Sequence, residues 1–253
     1  MLKLGRKPSR IDRRTLRFAR YVNMRALPAS PPARDWAHPL TAPAFGMFAN
    51  DRLGDCTCAA IGHYLQAMAA NTGRPLTLAG GDVIRMYSAV TGYDPARPET
   101  DEGAEMLDVL KYMRATGLCG YRFGAYVAVD PLSRTYVEAA VNCTGGLYVG
   151  LDLPAAWRDA TTWDVAPIAS RSTAYVANSW GPHAVEVVGY DRIGLTLVTW
   201  GVLKIMSWEA LRKYCSEAWA AIDSLWIDDT SLLSPSGFDL ATLMRDLVEI
   251  DRA

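Results

Sequence analysis

The stretch Asn50-Asp51-Arg52-Leu53-Gly54-Asp55-Cys56-Thr57-Cys58-Ala59-Ala60 passes from a turn into a helix. Asn, Asp and Gly are turn formers, and the run that follows, Cys56 to Asn71, is apolar with Gly62 as its only internal breaker. Asp55 is the expected N-cap, its carboxylate accepting from an orphan amide of the first turn. Cys56 then takes the first helical position, where the positive end of the helix dipole favours a thiolate. Asp55 pulls the other way, so a nearby cation is still required. From this stretch alone, Cys56 is either a small packed residue or a nucleophile.

The remaining composition describes a globular chain. Of 253 residues, 50% are hydrophobic and 21% charged, enough for one large domain or two small ones. A net charge of −1 gives no global case for nucleic acid, yet the charge is unevenly placed. Residues 1–25 hold nine Lys/Arg against one Asp, and residues 223–253 hold seven acids against two Arg. Such ends suit pairing with each other, with another copy or with phosphate. The basic run lacks the interleaved aromatics of a nucleic-acid surface, so nucleic acid is not an expected partner. No stretch reads as a signal peptide or a membrane span, and five cysteines, an odd number, suggest free thiols in a reducing compartment. Their spacing suits no zinc site, and neither a metal nor a cofactor is expected.

In chain order, residues 1–43 form an extended arm, basic and then proline-rich, with a short helix expected over Arg13–Tyr21. The arm either wraps its own domain or is clamped in an assembly. After the Cys56–Asn71 helix, helices are expected at Gly81–Val90 and at Ala104–Thr116, the latter stopped by Gly117. The pattern then turns strand-like over Tyr121–Val129 and Gly145–Leu151, with a helix over Leu132–Cys143 between them. Residues 152–179 are loop-rich. Ala184–Tyr190 and Leu195–Trp200 read as an antiparallel pair, followed by a helix at Ser207–Tyr214 and a strand at Ala218–Trp226. A helix over Leu240–Ile250 closes the acidic tail. Helices first and strands second predict an α+β domain over 44–226, with a tail at 227–253.

A cysteine nucleophile needs a base, usually histidine, and the chain has three. His38 lies in the arm. His63 is seven residues beyond Cys56, about 10 Å along the same helix axis, which leaves His183, at the head of an apolar strand.

Gly54-Asp55-Cys56-Thr57-Cys58-Ala59-Ala60 resembles the helix-opening nucleophile motif of papain-like cysteine peptidases. Pro182-His183-Ala184-Val185-Glu186-Val187-Val188-Gly189-Tyr190 is similar to that superfamily's histidine strand. Gly146-Leu147-Tyr148-Val149-Gly150-Leu151 is similar to the strand before it, and Thr199-Trp200-Gly201 to the Asn-Ser-Trp-Gly segment after it. The resemblance spans residues 45–225 and lacks a Trp directly after the nucleophile. It implies a helical half whose cysteine helix packs on an antiparallel β half. It implies Cys56 as nucleophile, His183 as general base and Asn50 as an oxyanion donor beside the Cys56 amide. Were Cys58 the nucleophile, the matching donor position would be Arg52. The residue that orients the imidazole falls on Val198 counted back from Trp200, or on Thr199 counted forward from His183, and only Thr199 has a suitable side chain. Asn178-Ser179-Trp180-Gly181 matches that segment in letters but precedes the histidine, and reads as a loop.

Two functions follow. One is a thiol hydrolase of peptide or amide substrates. The other is a non-catalytic component of a phage or prophage virion, or a similar assembly, in which residues 1–43 contact neighbouring subunits or mediate homo-oligomerisation. Its expected place is the cytoplasm or a virion.

Overall fold

The structure is a computed structural model that describes residues 2–10, 12, 15–21, 29–40, 45–74, 76–167, 172–223 and 226. The expected helix at 240–250 lies outside these. The elements run α1 (Phe18–Tyr21), β1 (Arg34–Asp35), α2 (Cys56–Thr72), α3 (Gly80–Thr91) and α4 (Met106–Ala115). Then come β2 (Phe123–Ala128), α5 (Arg134–Thr144), β3 (Leu147–Leu153), β4 (Thr162–Trp163) and β5 (Gly181–Tyr190). β6 (Gly194–Thr199), β7 (Val202–Ser207), α6 (Trp208–Tyr214) and β8 (Cys215–Asp223) complete the order. This is the α+β arrangement read from the sequence.

One sheet carries the domain, in the order β2-β8-β3-β5-β6-β7-β4, with β1 also paired to β5. Among the described residues every pairing named is antiparallel except β4 with β7. β5 is central and α2 lies against it. Burial on both faces explains why β5 reads as a nearly unbroken apolar run rather than an alternation. α2 is likewise apolar on nearly all sides and buried from Cys56 through Leu65, as expected of a helix enclosed by its domain. Gly73 ends it in the left-handed conformation.

Three departures from expectation have local causes. α4 starts at Met106 rather than Ala104, because the backbone of Ala104 pairs with the arm instead: its N–H donates to Gly5 O (2.9 Å) and its carbonyl accepts from Lys7 N (2.8 Å). β7 was not anticipated, since its Val202, Leu203 and Ile205 are exposed and carry no inside–outside alternation. The arm is partly integral to the domain, with Arg6, Phe18 and Trp36 buried. No helix among the described residues is long and apolar enough to cross a membrane.

Candidate active site

Cys56 opens α2 on a tight turn. Leu53 N and Arg52 N both bond Ala49 O, and Phe48 and Ala49 take positive φ. Asp55 occupies the N-cap position without capping: its side chain makes no bond to the first turn and is buried, with Oδ1 accepting from Asn50 Nδ2 at 3.2 Å. Burial raises its pKa to about 8, so the carboxyl is mostly protonated at neutral pH. The segment just before the cysteine is held from outside by Asp101. Both Asp101 oxygens accept from Gly54 N, at 3.1 and 3.0 Å, and Oδ1 also accepts from Tyr87 Oη at 2.6 Å.

His183 lies on β5, opposite Leu151 of β3. Its Nε2 is 2.8 Å from Thr199 Oγ1, the hydroxyl reached by counting forward from the histidine. Val198, the other position counted, is packed in a small apolar cluster. The imidazole lies flat on Trp200, with centroids 4.3 Å apart and planes 16° apart, and Trp180 stacks on the far side of Trp200. The turn makes this possible. Thr199 pairs with Val202, so Trp200 and Gly201 fill a two-residue hairpin with φ of 47° and 72°. Positive φ is costly for Trp and aims its ring at the histidine. Nδ1, the nitrogen turned away from Thr199, is buried without a hydrogen-bond partner.

The sulfur of Cys56 lies within hydrogen-bonding reach of two backbone amides, those of Ala184 and Gly5. The first puts the thiol one residue along β5 from the imidazole. The second belongs to the arm, which runs across the site. Gly5 is wedged between two other glycines: a Cβ on Gly5 would stand 1.9 Å from Gly54 O, and one on Gly103 would stand 2.0 Å from Gly5 O. Leu4 packs over Gly181, two residues before the histidine. Arg6 reaches inward, with one guanidinium nitrogen 2.8 Å from Glu217 Oε1 and the other 2.6 Å from Asp152 Oδ1. Lys3 pairs with Asp101, the same carboxylate that holds Gly54.

The covered site is dry, which reverses the sequence-based expectation for the thiol. The helix start favours a thiolate, but burial outweighs it and pushes the Cys56 pKa up to about 11. Burial, with the positive charge of Arg6, drives His183 down to about 3. The pair is therefore neutral at pH 7 with the arm in place.

The other candidates fall apart from this centre. His63 Nε2 bonds Gly46 O at 2.8 Å between Phe45 and Phe48, and burial lowers its pKa to about 4, as befits a core histidine. His38 is exposed. Cys58 is fully buried beside Asp55 with its pKa raised. Asn50 is buried next to the nucleophile turn, its amide spent on Leu53 O (3.4 Å) and Asp55 Oδ1 (3.2 Å). Residues 178–181 run beside β3, bonding Asp152 O and Leu153 O, and only Trp180 joins the aromatic stack. The contributions of Gly5, Arg6, Asp101 and Glu217 were not read from the sequence. Among the described residues no three His, Cys, Asp or Glu side chains are grouped to hold a metal ion.

The helix-borne cysteine beside a strand-borne histidine, on this sheet, is the fold of the papain-like cysteine proteases. The chain is similar to xylellain, a cysteine protease from Xylella fastidiosa, at 16% identity over 87% of this chain and 95% of the other, with a TM-score of 0.63. It is also similar to procathepsin B from Trypanosoma congolense (12% identity, 87% and 86% of the two chains, TM-score 0.59). Digestive procathepsin L 3 of the Tenebrio molitor larval midgut is a third (14% identity, 80% and 72%, TM-score 0.57). No protein-family model matches the sequence, and no curated protein matches it.

Proposed function

We propose that this chain is a thiol hydrolase of the cysteine-peptidase type, acting on a peptide or other amide bond. The observation that carries the proposal is the imidazole of His183, fixed at Nε2 by Thr199 and on its face by Trp200, with Nδ1 uncommitted beside the strand residue whose amide meets the Cys56 sulfur. The base role requires the tautomer with the proton on Nε2, donated to the Thr199 hydroxyl, which leaves the Nδ1 lone pair free.

In the proposed reaction Nδ1 takes the thiol proton as the sulfur attacks the substrate carbonyl. The Cys56 amide, a first-turn N–H with no intrahelical acceptor, donates to the oxyanion. The Asn50 bonds are long for neutral partners, so its amide is free to turn to a charged oxygen. The imidazolium then returns its proton to the departing amine, and water attacks the thioester to release the acid and the thiol. Access requires residues 3–7 to leave the groove, so the closed chain is latent.

The test is hydrolysis of peptidyl aminocoumarin amides and of a denatured protein by the full chain and by an Arg6→Ala variant whose arm has lost its anchor. Hydrolysis by the variant that falls at least a thousandfold on adding Cys56→Ala supports the proposal. Hydrolysis that survives Cys56→Ala, or none at all while Cys56 alkylates no faster than Cys143, overturns it.

A further inference from the structure

Arg6 occupies a pocket that the fold builds without it. The register of β3 sets Gly150 opposite Ala184 of β5 on one side and opposite Glu217 of β8 on the other, and Asp152 follows two residues on. A Cβ on Gly150 would stand 2.8 Å from Glu217 Cγ, 2.8 Å from Met106 Sδ and 3.0 Å from Arg6 Cδ, so the missing side chain is what leaves room for an arginine stem. The floor is acidic and prearranged. Glu217 is buried, its Oε2 held by the indole N–H of Trp219 at 3.0 Å and its Oε1 turned to the guanidinium. Asp152 closes the pocket from the half-exposed rim. The Arg6 side chain itself is 2% exposed.

The backbone on either side of this side chain is laid down like a bound peptide. Gly5 O and Lys7 N pair with the two sides of Ala104, as an added strand would, and Gly5 N meets the thiol. When residues 3–7 leave, Glu217 and Asp152 face one another with no cation between them, in a pocket whose floor water reaches poorly. Uncompensated buried charge of that kind is unfavourable and is relieved by a cation of matching shape. A guanidinium spans the two carboxylates with its two terminal nitrogens, whereas an ammonium is a single point charge.

We infer that this pocket selects an arginine side chain of the substrate, one residue removed from the carbonyl that meets Cys56, and that Arg6 holds its place in the closed chain. The inference rests on the hydrolase proposal only in calling that side chain a substrate's; the recognition of arginine by Glu217 and Asp152 stands on the pocket alone.

The test uses full-length Arg6→Ala, with its arm present but its anchor gone. Binding is measured by calorimetry for the nonapeptide Leu-Lys-Leu-Gly-Arg-Lys-Pro-Ser-Arg and for the same peptide with Leu, or with Lys, in place of its first Arg. The parent peptide is expected to bind at least tenfold more tightly than the Leu peptide and several-fold more tightly than the Lys peptide. Adding Glu217→Gln should shrink the first ratio to threefold or less, with near-ultraviolet circular dichroism confirming the fold. Less than twofold discrimination, or no binding of the parent peptide, overturns the inference. In parallel, Arg-Gly and Leu-Gly aminocoumarin amides are compared as substrates. A preference for Arg-Gly of at least tenfold supports both proposals. Peptide discrimination without any hydrolysis leaves the pocket standing and removes the hydrolase, and a preference for Leu-Gly overturns the pocket alone.

Discussion

Substituting Gly5 by alanine is the sharpest way to ask whether the arm governs the thiol. The new Cβ would lie 1.9 Å from the carbonyl oxygen of Gly54 and 2.3 Å from its carbonyl carbon and Cα. No rotamer relieves this overlap, because the opposing atoms are backbone and Gly54 is tied to both oxygens of Asp101. Overpacking of a filled site costs about 1–3 kcal/mol, and a backbone-to-backbone collision belongs at the upper end. At about 1.4 kcal/mol per factor of ten, the open fraction of the arm should rise about ten- to a hundredfold. The assay is the rate at which iodoacetamide modifies Cys56, read by peptide mass spectrometry, with the buried Cys143 as an internal reference for whole-chain unfolding. The expected result is a Cys56 rate at least tenfold higher than in the parent chain, with Cys143 unchanged. If the ratio of the two rates does not move, the arm is not what covers the thiol. If both rise together, the alanine has unfolded the domain, and Arg6→Ala, which adds no atoms, becomes the deciding variant.

Further outcomes follow from the same geometry. Thr199→Val removes the acceptor on His183 Nε2 while keeping the shape, and should lower kcat/KM of an opened variant by about ten- to a hundredfold; Thr199→Asn, whose carbonyl also accepts, should recover most of the loss. In the closed chain Cys56 titrates at about 11, so its alkylation rate should climb about tenfold per pH unit from pH 7 to 10, whereas Arg6→Ala should plateau earlier. Glu186 is fully buried with its pKa raised by burial, while in the unfolded chain it titrates near 4.3 or so. Above that pH the unfolded state releases the proton and the folded state keeps it, so stability falls as pH rises, and Glu186→Gln should gain about 1–3 kcal/mol over the parent at pH 8 by urea midpoint and little at pH 4. His183 acts in the opposite direction: its pKa is lowered to about 3 when folded, so the stability it confers is lost as pH falls from about 6.5, and this loss should shrink in His183→Gln.

The parts of the molecule legible in the sequence are those in which neighbours along the chain are also neighbours in space. The α2 helix, the β5–β6 pair and the helix capped by Ser207 (whose Oγ accepts from Ala210 N) all announce themselves by local pattern. Thr199 was reachable by counting, because a hairpin register fixes how far along the chain a partner must lie. Asp55 was misread for the converse reason: a good capping residue by type, it is drawn into the domain by Asn50, a contact that capping preference does not encode. The arm was the largest gap. Arg6 and Glu217 are separated by 211 positions, and Lys3 and Asp101 by 98. Gly5, Gly54 and Gly103 each read alone as turn residues. Only together do they describe a slot one backbone wide.

That slot couples access to acidity. With the arm seated, the sulfur holds its proton and the imidazole cannot take it: a thiol near 11 is about one part in ten thousand ionised at pH 7. Both shifts are led by burial, and the Arg6 charge adds to the depression of His183. Departure of residues 3–7 therefore does three things at once. It uncovers the thiol, it lets water lower the cost of a thiolate–imidazolium pair, and it removes a cation that opposed protonation of the imidazole. The first-turn amides of α2 favour the thiolate throughout, but their contribution is small against desolvation until the site is wet. A cover made of the chain's own backbone thus suppresses the nucleophile electrostatically as well as sterically. The basic side chain that anchors it does so by filling the acidic pocket that, once vacant, would draw in the arginine of another peptide.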